Sequence, residues 1–151
     1  MSSVFVEKYK PVIEQRIEQS VSMTTKVVFP NNINHHLTLF GGVAMAWMDE
    51  ISFITATRFC RKTLVTVSTE RINFKKPIPS GTIVQLTGKV SRVGNTSLTV
   101  DITIDVEQMH EDQRHQVIAG QFNFVAVDDD GHPVPLFDEA FLIEAMKHLP
   151  A

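Results

Sequence analysis

A chain of 151 residues, 43% hydrophobic and 21% charged, has the size and composition of one ordinary globular domain, with room to bury roughly 70% of its unfolded surface. A formal net charge of -3 leaves no overall electrostatic footprint for nucleic acid or an anionic membrane. With Cys60 as the one cysteine there is no intrachain disulfide and no Cys-rich zinc site, and no metal-ligand spacing emerges among the six His.

Residues 1–20 (MSSVFVEKYKPVIEQRIEQS) are mixed in character. Glu and Lys fall where a signal peptide needs an unbroken apolar stretch, so a reducing, cytoplasmic setting is expected. A short helical lead-in is expected over 11–20. Residues 21–29 (VSMTTKVVF) are β-branched and read as a strand. Residues 30–38 (PNNINHHLT) carry turn chemistry throughout, in a loop that delivers polar side chains to the start of the next element.

That element, residues 39–62 (LFGGVAMAWMDEISFITATRFCRK), is the centre of the chain. Gly41 and Gly42 open it, and no further Gly or Pro interrupts it. Its apolar residues fall on nearly every side, which predicts a buried helix. Asp49 and Glu50 split the apolar run, which therefore falls short of the ~18 residues of a membrane span.

Residues 64–74 (LVTVSTERINF) read as a strand, and 75–81 (KKPIPSG) as a turn with two prolines and a glycine. Over 83–93 Val84, Leu86, Gly88 and Val90 share one face, and Gly94-Asn95 signals a tight turn. Leu98, Val100, Ile102, Ile104 and Val106 then alternate with Thr99, Asp101, Thr103 and Asp105. After a polar turn at 110–113, Ile118, Gly120, Phe122, Phe124 and Ala126 continue the pattern as far as the turn at 128–131 (DDDG). Residues 137–149 predict a short amphipathic helix whose Phe141, Leu142, Ala145 and Leu149 need a partner surface on this subunit or a neighbour. The expected order is strand, loop, buried helix and four strands joined by hairpins. That is an α+β architecture, one antiparallel sheet wrapped around a long central helix, as in the hot-dog fold, in a single domain spanning 1–151 with its core over about 20–136.

No G-x-S-x-G, Walker, G-x-G-x-x-G or H-E-x-x-H motif is present. Three features can carry chemistry. The exposed N–H groups at Gly41-Gly42 form an anion or oxyanion site, or the glycines only let the chain turn against the sheet. Asp49 is a carboxylate in a buried helix, with Glu50 competing about 100° around it, and pattern alone does not choose between them. The Asn/His loop reads first as turn chemistry. Cys60, at the far end of the helix, reads as a small core residue.

The stretches PNNINHHLTLFGGVAMAWMDE, VTVSTERINFKKPIPSG, GKVSRVGNTS and FVAVDDDGHPVP together resemble the acyl-CoA thioesterases of the hot-dog fold, the acyl-CoA thioester hydrolase family. The likeness covers about residues 20–136. It implies a homodimer with two helices side by side under a continuous sheet, often assembled as a trimer of dimers. It also implies catalytic roles for Asn34, Asp49 (not Glu50) and Gly42, with Gly41 beside it. Coenzyme A contacts fall on Val67, Ser68 and Thr69, and on Thr96, Ser97 and Leu98. Coenzyme A enters as part of the substrate, so no cofactor is expected, nor a metal, nucleic acid or membrane partner. One departure stands out: where the family has a glycine after the loop Asn, this chain has Leu37.

The implied reaction is hydrolysis of an acyl-CoA to a free acid and coenzyme A. The backbone N–H of Gly42 would face the thioester oxygen, and Asp49, facing it across the dimer, would serve as general base or nucleophile. Asn34 would orient water or carbonyl, and the acyl chain would pass Met45, Met48 and Phe53 between two helices. Arg92, Lys75 or Lys76 would be available for phosphates. Two alternatives are a hydratase or dehydratase pairing His35 or His36 with Asp49 or Glu50, and a non-catalytic acyl-CoA sensor.

Overall fold

The computed structural model describes residues 7–150, so residues 1–6 of the N-terminal stretch and Ala151 lie outside the described residues. In chain order the elements are α1 (Lys10–Ser20), β1 (Ser22–Val27), a 3-10 turn (Pro30–Asn32), α2 (Gly41–Cys60), β2 (Leu64–Phe74), β3 (Ile83–Val93), β4 (Ser97–Glu107), β5 (Arg114–Ala126) and α3 (Glu139–Lys147). The five strands form one antiparallel sheet in the order β1-β3-β4-β5-β2, with α2 packed on one face. This is the expected α+β hot-dog arrangement.

The alternation predicted for β3, β4 and β5 is the alternation observed. Val84, Leu86, Val90, Val100, Ile102, Ile104, Phe122 and Phe124 are buried, and the residues between them turn away from the core. On α2 the buried side chains are Ala44, Met48, Ile51, Ser52, Thr55, Ala56, Phe59 and Cys60. Their spacing of three and four defines one helical face. The expectation that α2 is buried on nearly every side is therefore corrected for the single chain. Ala46, Asp49, Glu50 and Phe53 (46% exposed) face away, because one sheet covers only one side of a helix.

The hairpin expected at residues 75–81 is also corrected. β2 pairs with β5 at one edge and β3 pairs with β1 near the other, so the intervening segment crosses the sheet. With two prolines, 75–81 cannot supply the amides of a tight hairpin. It is tied instead to three other elements: the Lys75 N–H donates to the Val117 carbonyl (2.8 Å), the Ile78 carbonyl accepts from the Leu39 N–H (2.7 Å), and the Gly81 N–H donates to the Val28 carbonyl (2.9 Å). Ile78 is buried beneath it.

The loop before α2 is a small hairpin, bridged at Ile33 and Leu39. The Asn34 side-chain carbonyl accepts from the backbone N–H groups of His36 (2.9 Å) and Thr38 (3.3 Å) and from the Thr38 hydroxyl (3.2 Å). Inside this turn Leu37 sits at φ 62°, 68% exposed. The left-handed conformation that glycine would permit is thus present with leucine in its place, held by the Asn34 bonds around it.

Two predictions follow from this geometry. At Gly88 an added Cβ would collide with the Thr55 hydroxyl and stand 3.1 Å from Ile102 Cδ1, so α2 lies directly on the strand. Gly88→Ala should destabilise by about 1–3 kcal/mol in denaturant unfolding, and an unchanged midpoint would show that α2 does not approach so closely. Leu37→Gly should stabilise by about 0.5–1 kcal/mol, as relief of a left-handed leucine (~1–2 kcal/mol) outweighs the added flexibility of the unfolded chain. A loss of stability would mean that leucine bears no strain there.

Candidate active site

Helix α2 begins without a side-chain cap: the residue before it, Phe40, uses its N–H to bond the Asn32 carbonyl (3.0 Å). The N–H groups of Gly41, Gly42 and Val43 have no carbonyl one turn earlier in the helix and carry its positive end. Beyond its own chain neighbours and helix backbone, no described atom lies within 4 Å of the place a Gly42 Cβ would occupy, so the helix is uncrowded on that side of Gly42. Beside it lies a cavity of about 300 Å³ with Leu39, Ala44, Phe74 and Ile118 among its apolar walls and Lys75 and Lys76 also lining it.

Seven residues further on, Asp49 emerges from the uncovered side of α2, and its Oδ1 accepts a hydrogen bond from the Thr66 hydroxyl (3.0 Å). Glu50, equally exposed, has no side-chain hydrogen bond or ion pair among the described residues. The two carboxylates that pattern could not separate thus differ in surroundings: one is oriented by the sheet edge and the other is solvated. Thr66 was not singled out from the sequence. It is one of many strand hydroxyls, and its partner lies 17 residues away on another element.

Strand β2 is irregular in a way that sorts its residues between faces. A register shift between Thr66 and Ser68 makes Val67 an extra residue, and a second shift between Glu70 and Asn73 encloses Arg71 at φ 53°. Beyond the first bulge Ser68 pairs with Asn123 on the face away from α2, and its hydroxyl accepts from Asn123 Nδ2 (2.9 Å). Asn123 Oδ1 accepts from the Thr99 hydroxyl (2.6 Å), which accepts from Arg92 Nε (3.3 Å). Arg92 is therefore part of a polar row across the outer face. Val67 and Thr69 are exposed.

Thr96 and Ser97 lead into β4, with Ser97 aligned on Val125 and Val125 on Val65. They lie two strand spacings, roughly 10 Å, from the start of β2. Leu98 is wholly buried and paired with both β3 and β5, so its side chain packs in the core and only its backbone is left to face a ligand. Met48 is likewise in the core, off the expected path of the acyl chain. It is packed beneath β5, its Cε 3.1 Å from where a Gly120 Cβ would be, which leaves Met45 and Phe53 toward the uncovered side.

The single chain does not bring all the expected groups together. Gly42 and Asp49 are separated by about 10 Å along the helix axis, beyond reach of one water or one carbonyl. Asn34 is spent on its own turn through Oδ1, with only its amide nitrogen left to donate. His35 and His36 lie ring to ring (3.9 Å between centroids), and neither hydrogen-bonds to Asp49 or Glu50 among the described residues. At an exposed turn Asp128, Asp130 and His132 bring ligand atoms within 4.8 Å of one another, but Asp128 Oδ1 already accepts from the Asp130 and His132 amides, which is turn chemistry. No described helix is long and apolar enough to cross a membrane.

Residues 36–112 match the thioesterase superfamily. The chain is 37% identical over 119 residues to the uncharacterized acyl-CoA thioester hydrolase YkhA of Bacillus subtilis, covering 79% of this chain and 69% of that one. It is 28% identical to the cytosolic acyl coenzyme A thioester hydrolase of rat over 80% of its own length but only 32% of the relative's, so it spans about a third of that protein. Among solved structures, the Staphylococcus aureus acyl-CoA hydrolase in complex with butyryl coenzyme A, coenzyme A and coenzyme A disulfide superposes with a TM-score of 0.75 at 32% identity, over 87% of this chain and 88% of that one. A hexameric thioesterase from Yersinia pestis gives 0.70 at 30% identity over 76% and 93%. With the helix-on-sheet architecture and the carboxylate on its open side, the match in sequence and in shape places this chain in the acyl-CoA thioester hydrolase family of the thioesterase superfamily.

Proposed function

We propose that the protein hydrolyses acyl-CoA thioesters at a site completed by two copies of the chain, with Asp49 of one facing Gly42 of the other. The observation that carries this reading is the Asp49 carboxylate, held by the Thr66 hydroxyl at an open sheet edge. The second copy follows from geometry. Asp49 and Gly42 are too far apart within one helix, whereas an antiparallel neighbour would bring opposite ends of two helices together. Among the described residues strand β2 has no partner on its outer side, and only Leu64 along it is buried, so a sheet continuing through β2 suits the unpaired edge. Hexameric relatives are consistent with dimers assembled further.

A further support lies in the relatives. Solved variants of the Staphylococcus aureus acyl-CoA hydrolase replace one Asn, one Asp and one Thr by Ala. Their separations along that chain are those of Asn34, Asp49 and Thr66 here.

In the proposed reaction the thioester oxygen lies against the Gly42 N–H at the positive end of α2, where one well-aimed donor contributes on the order of 3 kcal/mol to an oxyanion. Asp49 takes the proton of an attacking water, or attacks the carbonyl itself, and the tetrahedral species expels coenzyme A as thiolate; on the second route water then cleaves the acyl–Asp49 anhydride to the free acid and restores the carboxylate. Thr66 fixes one carboxylate oxygen and leaves the other to act. Asn34 contributes as a donor through Nδ2, because its Oδ1 is occupied. The acyl group would enter the apolar cavity beside Gly41, a different route from the expected passage along Met48. The coenzyme would run over Val67–Thr69 towards Thr96 and Ser97, with Lys75 and Lys76 near its phosphates. A cytoplasmic setting, with no cofactor of its own, belongs to the same proposal. Within one chain neither His35 nor His36 bonds to Asp49 or Glu50 among the described residues, so the dehydratase alternative has less support here than the hydrolase reading.

Thiol release from a panel of acyl-CoAs, acetyl to palmitoyl, tests this. Asp49→Asn should lower turnover by roughly 10²–10⁴ with folding intact, and Glu50→Gln should be comparatively mild. Near-normal release by Asp49→Asn would refute the assignment. Thr66→Val should lose about 10- to 100-fold in kcat, the equivalent of one hydrogen bond to a charged group, with Thr66→Ser restoring most of it. Equal activity in Thr66→Val and wild type would mean that the hydroxyl does not orient the carboxylate.

A further inference from the structure

At the opposite end of α2, α1 and the segment leading into α3 enclose a second cavity of about 230 Å³. Leu136, Phe137 and Phe141 provide its apolar wall, the two phenyl rings stacked at 5.8 Å and 9°. Arg16, Arg61 and Lys62 line it as cations against a single carboxylate, Asp138.

These charges are unevenly matched. Lys62 pairs with Asp138 (3.4 Å). Arg16 reaches from α1 to the last carbonyls of α2, donating from Nε to Phe59 (2.8 Å) and from Nη2 to Arg58 (3.1 Å), with its guanidinium over Phe137 and Phe141. Its Nη1 has no hydrogen bond among the described residues. Arg61, held at φ 55° at the end of the helix, has no side-chain hydrogen bond or ion pair among the described residues. Arg61 is exposed and lines the same cavity as Arg16; burial, and then the Arg61 charge, hold the Arg16 guanidinium below the usual arginine range. Cys60 adds no compensating charge, because burial pushes its thiol up.

We propose that this cavity binds a small organic carboxylate, its charge between Arg61 and Arg16 and its apolar body against Leu136, Phe137 and Phe141. A planar guanidinium fork suits a carboxylate, and an apolar wall suits a hydrocarbon body. A cavity of about 230 Å³, open to solvent on one side, suits a small ligand. The site lies about 28 Å along α2 from Gly42, so it is separate from the proposed catalytic end. A free acid of this kind is what thioester hydrolysis liberates. That link rests on the proposed reaction, whereas the binding itself does not.

The test is titration of the full chain with hexanoate, followed through the backbone amide NMR signals of Arg16, Cys60 and Arg61, beside hexanol and hexyl phosphate. Hexanoate should shift these signals with a Kd of the order of 1 mM, as expected for so small a ligand. Arg61→Gln should weaken binding about tenfold, and Asp138→Asn, which removes the competing carboxylate, should tighten it. Absence of shifts at these three amides, or equal binding by wild type and Arg61→Gln, would overturn the proposal. Equal binding of hexanol would overturn recognition of the charge, and tighter binding of hexyl phosphate would overturn the carboxylate class. Shifts confined to Gly41–Val43 would report the catalytic end alone and also count against it. Because the readout is local, it stands whether or not the chain hydrolyses thioesters.

Discussion

A helix that is apolar on most of its circumference lies on a sheet that covers one side of it. Nearly everything else in this protein depends on that mismatch. The covered side of α2 makes the core through Met48, Ile51, Thr55 and Phe59. The uncovered side carries Asp49 and a half-exposed Phe53. A single chain cannot bury both sides, and leaving apolar helix surface in water is unfavourable. The unpaired edge of β2, beside the uncovered side, presents the same incompleteness in backbone hydrogen bonds. Both would be met by the dimer proposed above, in which a second copy also joins the two halves of the proposed catalytic site.

Close contact between α2 and the sheet fixes where its functional groups point. Gly88 and Gly120 remove side chains where Thr55 and Met48 press down. Once that face is seated, Asp49 is turned toward β2, where the Thr66 hydroxyl meets it. The bulge at Val67 then sends Ser68 to the outer face, into the polar row through Asn123 and Thr99 to Arg92. One extra residue in an edge strand separates groups serving the helix side from groups serving the outer side.

The two ends of α2 are chemically opposite. Its start is a set of N–H groups beside glycines with no side-chain cap, the positive end of the helix dipole. Its last carbonyls are tied by Arg16 from α1, with Arg61 in the left-handed cap. Arg16 bonds those carbonyls and Lys62 pairs with Asp138, while Arg61 has no side-chain partner among the described residues. A cavity with spare positive charge is the result.

Much of this was legible in the chain itself. Period-two alternation gave β3 to β5, because each has one wet and one dry face. The two glycines and the uninterrupted run after them gave α2, and the set of motifs gave the family. Strand order was not legible: two prolines and a glycine look like a turn whether the next strand returns beside the last or crosses the sheet. Nor could pattern tell Asp49 from its neighbour Glu50; in the structure the two differ in surroundings, since only Asp49 meets the Thr66 hydroxyl. The burial of Leu98 and Met48, and the left-handed turn kept at Leu37, were likewise decided by tertiary contacts. Local sequence determines which segments become helix or strand, because those choices rest on side-chain periodicity and backbone freedom. Which side chains meet depends on packing between segments far apart in the chain, and that only the folded structure decides.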